Sequence, residues 1–233
     1  EQEFFLILFH HLRQEGIHHL DMGRIRTDSP TVANLATFSR SAGCDISCKP
    51  VDILYEMDLS DTWEGYLDRL SGVERHETRR KIRRLEGVGT IRLRVIEERE
   101  DVVSAMDTFI DFFRSNGEEK AQFMTGAVEP FFRSLAGSMA DAGFLKLFFL
   151  DLDGIPAAGV MCFDYRSTVY LYNNSYDFRF RHLSVVILSK VFSIRESIAK
   201  GRRTYSFLRG TETYKRRLGG KPVKLFHCGV ALE

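Results

Sequence analysis

The residues whose types and spacing could do chemistry cluster between residues 169 and 219. An apolar strand pattern ending near Tyr172 is followed by a basic turn that contains Arg179 and Arg181, and a helix pattern begins at Ser184. The first N–H groups of a helix have no intrahelical acceptor, and the helix dipole attracts negative charge there. Strand, basic turn and helix start together predict an anion site that suits a pyrophosphate. The alternative is that both arginines are solvated loop charges and that Ser184 only caps the helix.

A second set of candidates lies on a helix pattern that ends near residue 86. Arg75, Arg79 and Arg83 are spaced at i, i+4 and i+8, which places them on one face of a helix. Such a face could bind an anionic acceptor such as a sugar nucleotide, a tRNA backbone or an acidic partner surface. A solvated helix face is the alternative. We take Arg79 and Arg83 as the predicted acceptor contacts.

The elements that must position these residues alternate between helix and strand patterns. A chain of 233 residues that is 44% hydrophobic can build one large globular domain or two small ones. Asp153-Gly154, between two apolar runs, predicts a β-hairpin. Apolar periodicity predicts helices over residues 4–14, 31–42, 62–86, 102–114, 128–142 and 184–199, and strands over 17–22, 51–59, 91–96, 145–152, 157–165, 169–173, 205–208 and 223–232.

The two ends of the chain share a weak internal repeat. In each, an apolar helix pattern ends at a glycine, Gly16 or Gly201, a short strand follows, and a Lys-Pro-Val sequence opens another strand. The repeat predicts that residues 1–59 are the C-terminal part of a first, truncated unit, that residues 60–89 are a basic connecting helix, and that residues 90–233 form a complete second unit. Coincidence among common Gly and Pro positions is the alternative.

Bulk charge and cysteine content narrow the class of protein further. With 33 basic and 32 acidic residues the net charge is +1, which makes no case for a dedicated nucleic-acid or membrane-surface protein. No apolar run approaches the roughly 18 residues of a membrane span. The 4 cysteines are too few and too scattered for a disulfide framework, so the sequence predicts a reducing, cytoplasmic location. The Cys and His spacings predict no metal site.

Several short motifs in one order resemble the GNAT acetyltransferases of the CelD-like type (cellulose biosynthesis protein CelD), which are related to the FemAB peptidyltransferases. The resemblance covers roughly residues 60–220, including the basic helix from Ser71 to Gly89. The motifs are Tyr170-Leu171-Tyr172-Asn173-Asn174-Ser175-Tyr176-Asp177, His182-Leu183-Ser184, Phe207-Leu208-Arg209-Gly210, Glu212 and Tyr214-Lys215.

The resemblance implies a GNAT-like, mixed α/β (α+β) fold with a central mixed sheet flanked by helices, and a partial second GNAT-like unit at the N-terminus. In such a fold the acyl donor, usually acyl-CoA, lies in a splay between two central strands, with its pyrophosphate at the following helix. Here the splay would follow residues 169–173. The implied donor contacts are Tyr172, Asn173, Arg179, Arg181, His182, Leu183 and Ser184.

Direct transfer from a thioester to an amine needs a deprotonated nucleophile, a stabilised oxyanion and aligned reactants. Glu212 is the candidate base, backbone N–H groups of residues 173–175 are candidate oxyanion donors, and Tyr214 could protonate the leaving thiolate. Lys215 matches a lysine that contacts the donor in FemAB relatives. The alternatives are a surface ion pair for Glu212 and core packing for Tyr172 and Tyr214.

The sequence also departs from the CelD-like pattern. Val185-Val186 stand where Pro-Gly is common, and Ser206 stands where an Asp commonly precedes Phe-Leu-Arg-Gly. The missing Asp leaves Glu212 and Asp177 as the carboxylates that could take a proton from an amine. Asp177 and Arg209 are further predicted contacts to the acceptor.

We therefore expect an N-acyltransferase that moves an acyl group, acetyl in the first instance, from acyl-CoA to the amine of a small molecule or sugar. FemAB relatives use aminoacyl-tRNA, so a tRNA-dependent transferase is one alternative. A non-catalytic acyl-CoA-binding or scaffold module is the other.

Overall fold

The computed structural model describes residues 2–35, 45–116, 122, 124 and 126–232. Its helices are α1 (Gln2–Gln14), α2 (Trp63–Arg69), α3 (Gly72–Glu86), α4 (Arg99–Ser115), α5 (Val128–Asp141), α6 (Val185–Ala199) and α7 (Thr213–Arg217). Its strands are β1 (His19–Arg26), β2 (Asp45–Asp58), β3 (Ile91–Ile96), β4 (Leu145–Leu152), β5 (Ile155–Tyr165), β6 (Thr168–Tyr176), β7 (Thr204–Arg209) and β8 (Lys221–Ala231). A 3-10 helix (Phe178–Leu183) precedes α6, and residues 30–35 are helical. The rest of the helix predicted over 31–42 lies outside the described residues.

The chain divides into two units. Unit 1 consists of Glu1–Tyr55, Arg209–Thr211 and Lys221–Glu233, and unit 2 consists of Glu56–Leu208 and Glu212–Gly220. The last strand groups with the N-terminal segment. The origin of residues 1–59 as part of a truncated GNAT-like unit stays a prediction.

In unit 1, β8 lies between β1 and β2, and it pairs with β1 in antiparallel fashion. Phe9 and Leu35 pack against Val230 in the core of this unit. Cys48 on β2 and Cys228 on β8 are joined by a disulfide, so the expectation of cysteines without disulfide bonds is wrong at this pair. The sequence separation of 180 concealed the proximity of the two cysteines, because only the pairing of strands from opposite ends of the chain brings them together.

Unit 2 is built on a mixed sheet with the strand order β7-β6-β5-β4-β3. The pairs from β3 to β6 are antiparallel, and β6 and β7 are parallel. Successive side chains of β4 point to opposite faces, so Leu147 packs under α4 and α5 while Leu150 packs under α3 and α6. The predicted mixed α/β fold, with a central mixed sheet flanked by helices, is confirmed.

The helix predicted over residues 62–86 is two helices, not one. Thr62 caps α2 by accepting a hydrogen bond from the Gly65 N–H. Leu70 is extended, and the Ser71 hydroxyl caps α3 by accepting from the Glu74 N–H. Ser71 and Glu74 have the Ser-x-x-Glu spacing of a capping box, which is a signal for a helix start in the middle of the apolar pattern.

Other predicted elements match the structure with shifted ends. The strand predicted over 51–59 begins at Asp45, and the strand predicted over 169–173 continues to Tyr176. Asp153 and Gly154 form the hairpin turn, with positive φ at both residues. Among the described helices, none combines the length and apolarity that crossing a membrane would require.

Candidate functional site

The central feature of unit 2 is an early separation of its two parallel strands. β6 and β7 pair only from Thr168↔Thr204 to Tyr170↔Ser206, although both strands continue beyond these residues. On its other side β6 stays paired with β5, and there the register passes from Cys162↔Leu171 to Met161↔Asn173, which leaves Tyr172 as a bulge. A bulge bends a strand and increases its twist. We call the opening between residues 171–176 of β6 and 207–208 of β7 the splay.

The residues of β6 beyond the bulge have different environments. Tyr172 packs against Phe132 and Phe163, with ring centroids 5.8 and 5.0 Å away, so its ring belongs to the core on the α5 side of the sheet. Asn173 Oδ1 accepts a hydrogen bond of 2.7 Å from the Asn174 N–H. Ser175 is buried, and its hydroxyl has no hydrogen-bond partner among the described residues. A buried hydroxyl without a partner loses free energy unless a ligand or water supplies one.

The predicted basic turn folds as the 3-10 helix that leads into α6. Leu183 is buried in the core, whereas Arg181 and His182 are exposed. Ser184 adopts a left-handed conformation with φ of 60° and makes no side-chain cap. Since Ile187 already donates its N–H to the Ser184 carbonyl, Val185 and Val186 carry the N–H groups that the helix itself cannot pair.

The two arginines of this turn differ in their contacts. Arg179 donates through its Nε to Asp177 Oδ2 at 2.9 Å, and its backbone N–H also donates to Asp177 Oδ1. Hydrogen bonding from Arg179, opposed in part by burial, holds the pKa of the Asp177 carboxyl below its usual value. Arg181 instead covers the Phe178 ring at 4.0 Å and forms no ion pair within the described part of the chain. Arg181 is therefore better placed than Arg179 to meet an incoming anion, and Asp177 is engaged by Arg179.

All three predicted catalytic residues lie together at the start of α7. Lys215 is only 2% exposed, and its Nζ lies 3.0 Å from Glu212 Oε2 and 3.5 Å from the Leu208 carbonyl oxygen. Partial burial raises the pKa of Glu212, but a backbone hydrogen bond, the Lys215 ion pair and the charge of Lys190 outweigh it, so this pKa lies below the usual value. Leu208 has a φ of 56°, which is unusual for a bulky residue and marks strain at the end of β7.

A second buried lysine completes this group. Lys190 on α6 is 1% exposed, donates from Nζ to the Val186 carbonyl oxygen at 2.9 Å and lies 4.9 Å from the centroid of the Tyr214 ring. Burial, together with the charge of Glu212, raises the pKa of Tyr214, so its phenol keeps its proton at neutral pH. We call Lys190, Glu212, Tyr214 and Lys215 the lysine cluster.

Behind Lys190 lies a buried polar chain. The Ser193 and Tyr205 hydroxyls lie 2.7 Å apart, Ser193 also donates to the Lys190 carbonyl oxygen, and Cys162 Sγ lies 3.8 Å from the Tyr205 hydroxyl. Burial raises the pKa of Cys162 to about 12, with the nearby Tyr205 hydroxyl and Lys190 charge opposing it, so the thiol is not a ready nucleophile. This chain fixes the backbone of α6 where Lys190 projects.

Sequence reasoning missed Lys190. The available signal was a lysine inside a run of otherwise apolar and serine residues, from Val185 to Ile194, where no face is polar enough to be solvated. A charged residue in such a run is rarely buried without a function or a partner.

The predicted acceptor contacts are not part of the lysine cluster. Arg79 and Arg83 lie on α3, where Arg79 Nη2 is 2.8 Å from Glu64 Oε2 and both side chains line a surface cleft. Arg209 belongs to unit 1, and its Nη1 lies 3.0 Å from Asp52 Oδ2 there.

Comparison with known protein families gives a match over most of unit 2. The family described as the acetyltransferase (GNAT) domain matches residues 73–216, which contain α3 from its second residue onward, the splay and the lysine cluster. A search of curated proteins found no significant match.

Solved structures match the fold over nearly the whole chain. FemX superposes with a TM-score of 0.71 at 12% identity, covering 98% of this chain and 77% of its own. A conserved protein of unknown function from Bacteroides thetaiotaomicron VPI-5482 gives 0.70 at 12%, covering 99% and 75%. L-PGS from Bacillus licheniformis gives 0.57 at 11%, covering 98% and 72%. Identities this low establish likeness of fold alone.

Proposed function

Because the chain belongs to the GNAT acetyltransferase-domain family, we propose that it transfers an acyl group from acyl-CoA, acetyl-CoA in the first instance, to the amine of a small molecule or sugar. The observation that carries this proposal is the early end of the β6–β7 ladder at Tyr170↔Ser206. It opens the sheet beside the N-terminus of α6 on one side and the lysine cluster on the other. A CelD-like subtype stays a prediction from the sequence motifs.

The residues that border the splay and the start of α6 suit the two ends of such a donor. The N–H groups of Val185 and Val186, with Arg181 and His182 beside them, would face the pyrophosphate. The backbone of residues 173–175 would run alongside the acyl-bearing arm, and the buried Ser175 hydroxyl offers it a hydrogen bond. Leu183 and Ser184 hold the turn in place. Tyr172 is not a direct contact of the donor, because it forms a bulge in β6 and its ring packs in the core.

Acyl-CoA would supply an activated thioester carbonyl. The acceptor amine attacks this carbon, so that a C–N bond forms, the C–S bond breaks and the amine proton passes to a base. Glu212 is ionised at neutral pH, as a proton acceptor must be, and it holds Lys215 at the end of the splay. The high pKa of Tyr214 keeps it protonated, so it can give a proton to the leaving thiolate. The lysine ammonium groups stabilise the negative charge that develops on oxygen.

A tRNA-dependent transfer is the second candidate. The observation that favours it is the burial of Lys215 in an ion pair at the end of β7, since the resemblance to FemAB relatives assigns a lysine there to the donor. An aminoacyl ester presents the same reacting carbonyl, so the lysine cluster could serve either donor.

The first test is a thermal shift against CoA, acetyl-CoA and longer acyl-CoAs. A ligand at about a hundred times its Kd stabilises a protein by about 2.7 kcal/mol, which for this length is a rise in Tm of roughly 5 to 10 °C. We expect this rise for the wild type and for Arg166→Glu, whose exposed arginine stacks on Tyr165 much as Arg181 stacks on Phe178. Arg181→Glu should lose most of it.

The chemical test is acyl transfer by Lys215→Met, with the exposed neighbour Arg216→Met as the matched control. We expect kcat/KM to fall about a hundredfold for Lys215→Met and to change little for the control. No shift with any thioester, together with tight and strongly salt-dependent binding of aminoacyl-tRNA, would favour the tRNA-dependent reading. Thioester binding without transfer to any amine would favour a scaffold.

A further inference from the structure

Unit 2 contains a cleft that the acyl-transfer chemistry does not use. It is bordered by α2, α3 and the C-terminal half of α6, and its volume is about 670 Å³. That volume lies within the range of small-molecule sites. Its lining combines an apolar floor with a wall of arginines.

The floor contains the single tryptophan of the chain. Trp63 is half-buried, contacts the Tyr66 ring at 5.2 Å and lies under the Arg195 guanidinium at 5.8 Å, while Leu67 and Ile82 extend the floor. A guanidinium lying over an aromatic ring presents a flat surface on which a nucleic-acid base can stack. A site for inorganic phosphate alone would gain nothing from these apolar side chains.

The wall carries positive charge in excess. Arg75, Arg79, Arg83 and Arg195 line the cleft against Glu64 and Glu86, a balance of four cations and two anions. Asp68 and Glu64 hold Arg75 and Arg79 at 2.8 Å each. In the described ranges Arg83 and Arg195 have no carboxylate ion-pair partner. Arg79 and Arg83 are about 6 Å apart along the helix axis, within reach of one diphosphate.

The cleft is separate from the place assigned to the acyl donor. Arg195 lies ten residues after Val185, which is about 15 Å along α6 from its N-terminus. It also lies five residues after Lys190, so the two side chains leave the helix about 140° apart. A nucleotide in the cleft would therefore leave the splay open.

From this geometry we propose that the cleft binds a nucleoside diphosphate group, with the base stacked on Arg195 and Trp63 and the diphosphate held by Arg79 and Arg83. Such a group is the carrier on which an amine-bearing sugar would be presented, so the proposal gives the acceptor a chemical class. Only this last step rests on the proposed acyl transfer, because binding in the cleft needs no thioester.

Trp63 makes the proposal directly measurable. Its fluorescence is titrated with UDP, ADP, inorganic pyrophosphate and uridine, and calorimetry repeats each titration without relying on the tryptophan. We expect UDP or ADP to change the fluorescence with saturation, and to bind at least about tenfold more tightly than pyrophosphate or uridine, because only the nucleotides use both floor and wall. Saturating acetyl-pantetheine, which carries the thioester arm but no nucleotide, should leave the Kd of UDP unchanged.

The matched variants use one helix. Arg79→Ala combined with Arg83→Ala should weaken nucleotide binding at least tenfold, whereas Arg80→Ala combined with Arg84→Ala, with the same change in charge outside the cleft lining, should change it less than about twofold. If both double variants lost nucleotide affinity equally, the effect would be one of overall charge, and the proposed site would be overturned.

Three other results would also overturn the proposal. These are no saturable change with either nucleotide, pyrophosphate binding as tightly as UDP, and binding confined to RNA with a steep salt dependence. If acetyl-pantetheine and UDP exclude each other, the cleft is part of the donor site and the assignment fails. Failure of every thioester to bind, with UDP still bound in the cleft, would instead contradict the proposed acyl transfer and leave the nucleotide site standing.

Discussion

Unit 2 contains two groups of positively charged side chains, one buried and one exposed. In the lysine cluster, Lys190 and Lys215 are 1% and 2% exposed, and Lys215 Nζ lies 3.0 Å from Glu212 Oε2. In the α3 cleft the arginines lie at the surface, and Arg75 and Arg79 face carboxylates on α2. Moving an ammonium group out of water costs several kcal/mol, whereas an exposed arginine pays almost nothing.

The difference in burial suits the lysines to catalysis and the arginines to ligand binding. A charge held in a water-poor site acts strongly on a reacting group, because the effective dielectric constant is low there. Exposed guanidinium groups act weakly one by one and need several contacts and a stacking surface to hold a ligand. We therefore expect substitutions in the lysine cluster to change catalysis with little cost in stability, and substitutions in the cleft to change binding.

After the hundredfold loss expected for Lys215→Met, the next largest effect is expected for Lys190→Met, compared with Lys200→Met at the C-cap of the same helix. Lys200 is exposed and lies 3.8 Å from Glu196, so its loss should leave activity and stability unchanged. Lys190→Met should lower kcat/KM about tenfold while the free energy of unfolding stays within about 1 kcal/mol of the wild type, because Met fills a similar volume without a buried charge. Enzyme kinetics and urea unfolding of both variants measure this.

Two outcomes would break the comparison at Lys190. Full activity would mean that the buried ammonium plays no part in transfer. A loss of several kcal/mol of stability would mean that Lys190 is a structural anchor for α6, with any loss of activity following from that. Equal effects of Lys190→Met and Lys200→Met would remove the distinction between buried and exposed lysines altogether.

An intermediate effect is expected at Asp177, a buried carboxylate whose partner Arg179 is exposed. Hydrogen bonding to Arg179 depresses the pKa of Asp177 in the folded chain below its usual value. The unfolded chain therefore binds the proton first as pH falls. The stabilisation is complete above the unfolded pKa and is lost as pH falls through the lower folded pKa.

Asp177→Asn should accordingly cost about 1 kcal/mol at pH 7, where it loses the charged pair and weakens the cap at Arg179. The cost should shrink toward zero in strong acid, where the wild-type carboxyl is protonated too. Urea unfolding at neutral and acidic pH, with the exposed Asp111→Asn as the control, measures the difference. A cost independent of pH would show that shape rather than charge matters at this position.

Sequence reasoning recovered what depends on local pattern. The hairpin at Asp153-Gly154 and the amphipathic helices follow from turn chemistry and periodicity, which neighbouring residues decide. The grouping of Glu212, Tyr214 and Lys215 also followed, since three residues on one short helix stay together in any fold. Even the split of the helix at Ser71 was visible in principle, as a capping box.

What escaped the sequence depends on distant pairing. Lys190 meets Tyr214 only because α6 packs beside α7, and Cys48 meets Cys228 at a sequence separation of 180. The opening at Tyr170↔Ser206 came from the family resemblance and not from the residues, because a bulge at Tyr172 leaves no distinctive local pattern. Helical periodicity also could not predict that Arg79 and Arg83 line a cleft, because the rest of the cleft is formed by α2 and α6.

The smallest expected effect tests the exposed side of the comparison. Arg75 Nη1 lies 2.8 Å from Asp68 Oδ1, and the Asp68 side chain is 68% exposed. Exposed pairs contribute about 0.2 to 1 kcal/mol, and Met keeps the helix propensity of Arg, so Arg75→Met should lower the free energy of unfolding by about 0.5 kcal/mol or less. A double-mutant cycle with Asp68→Asn isolates the pair, and high salt should abolish its coupling energy. A coupling above about 2 kcal/mol that survives salt would make the arginine wall a structural network, built for stability and not for a ligand.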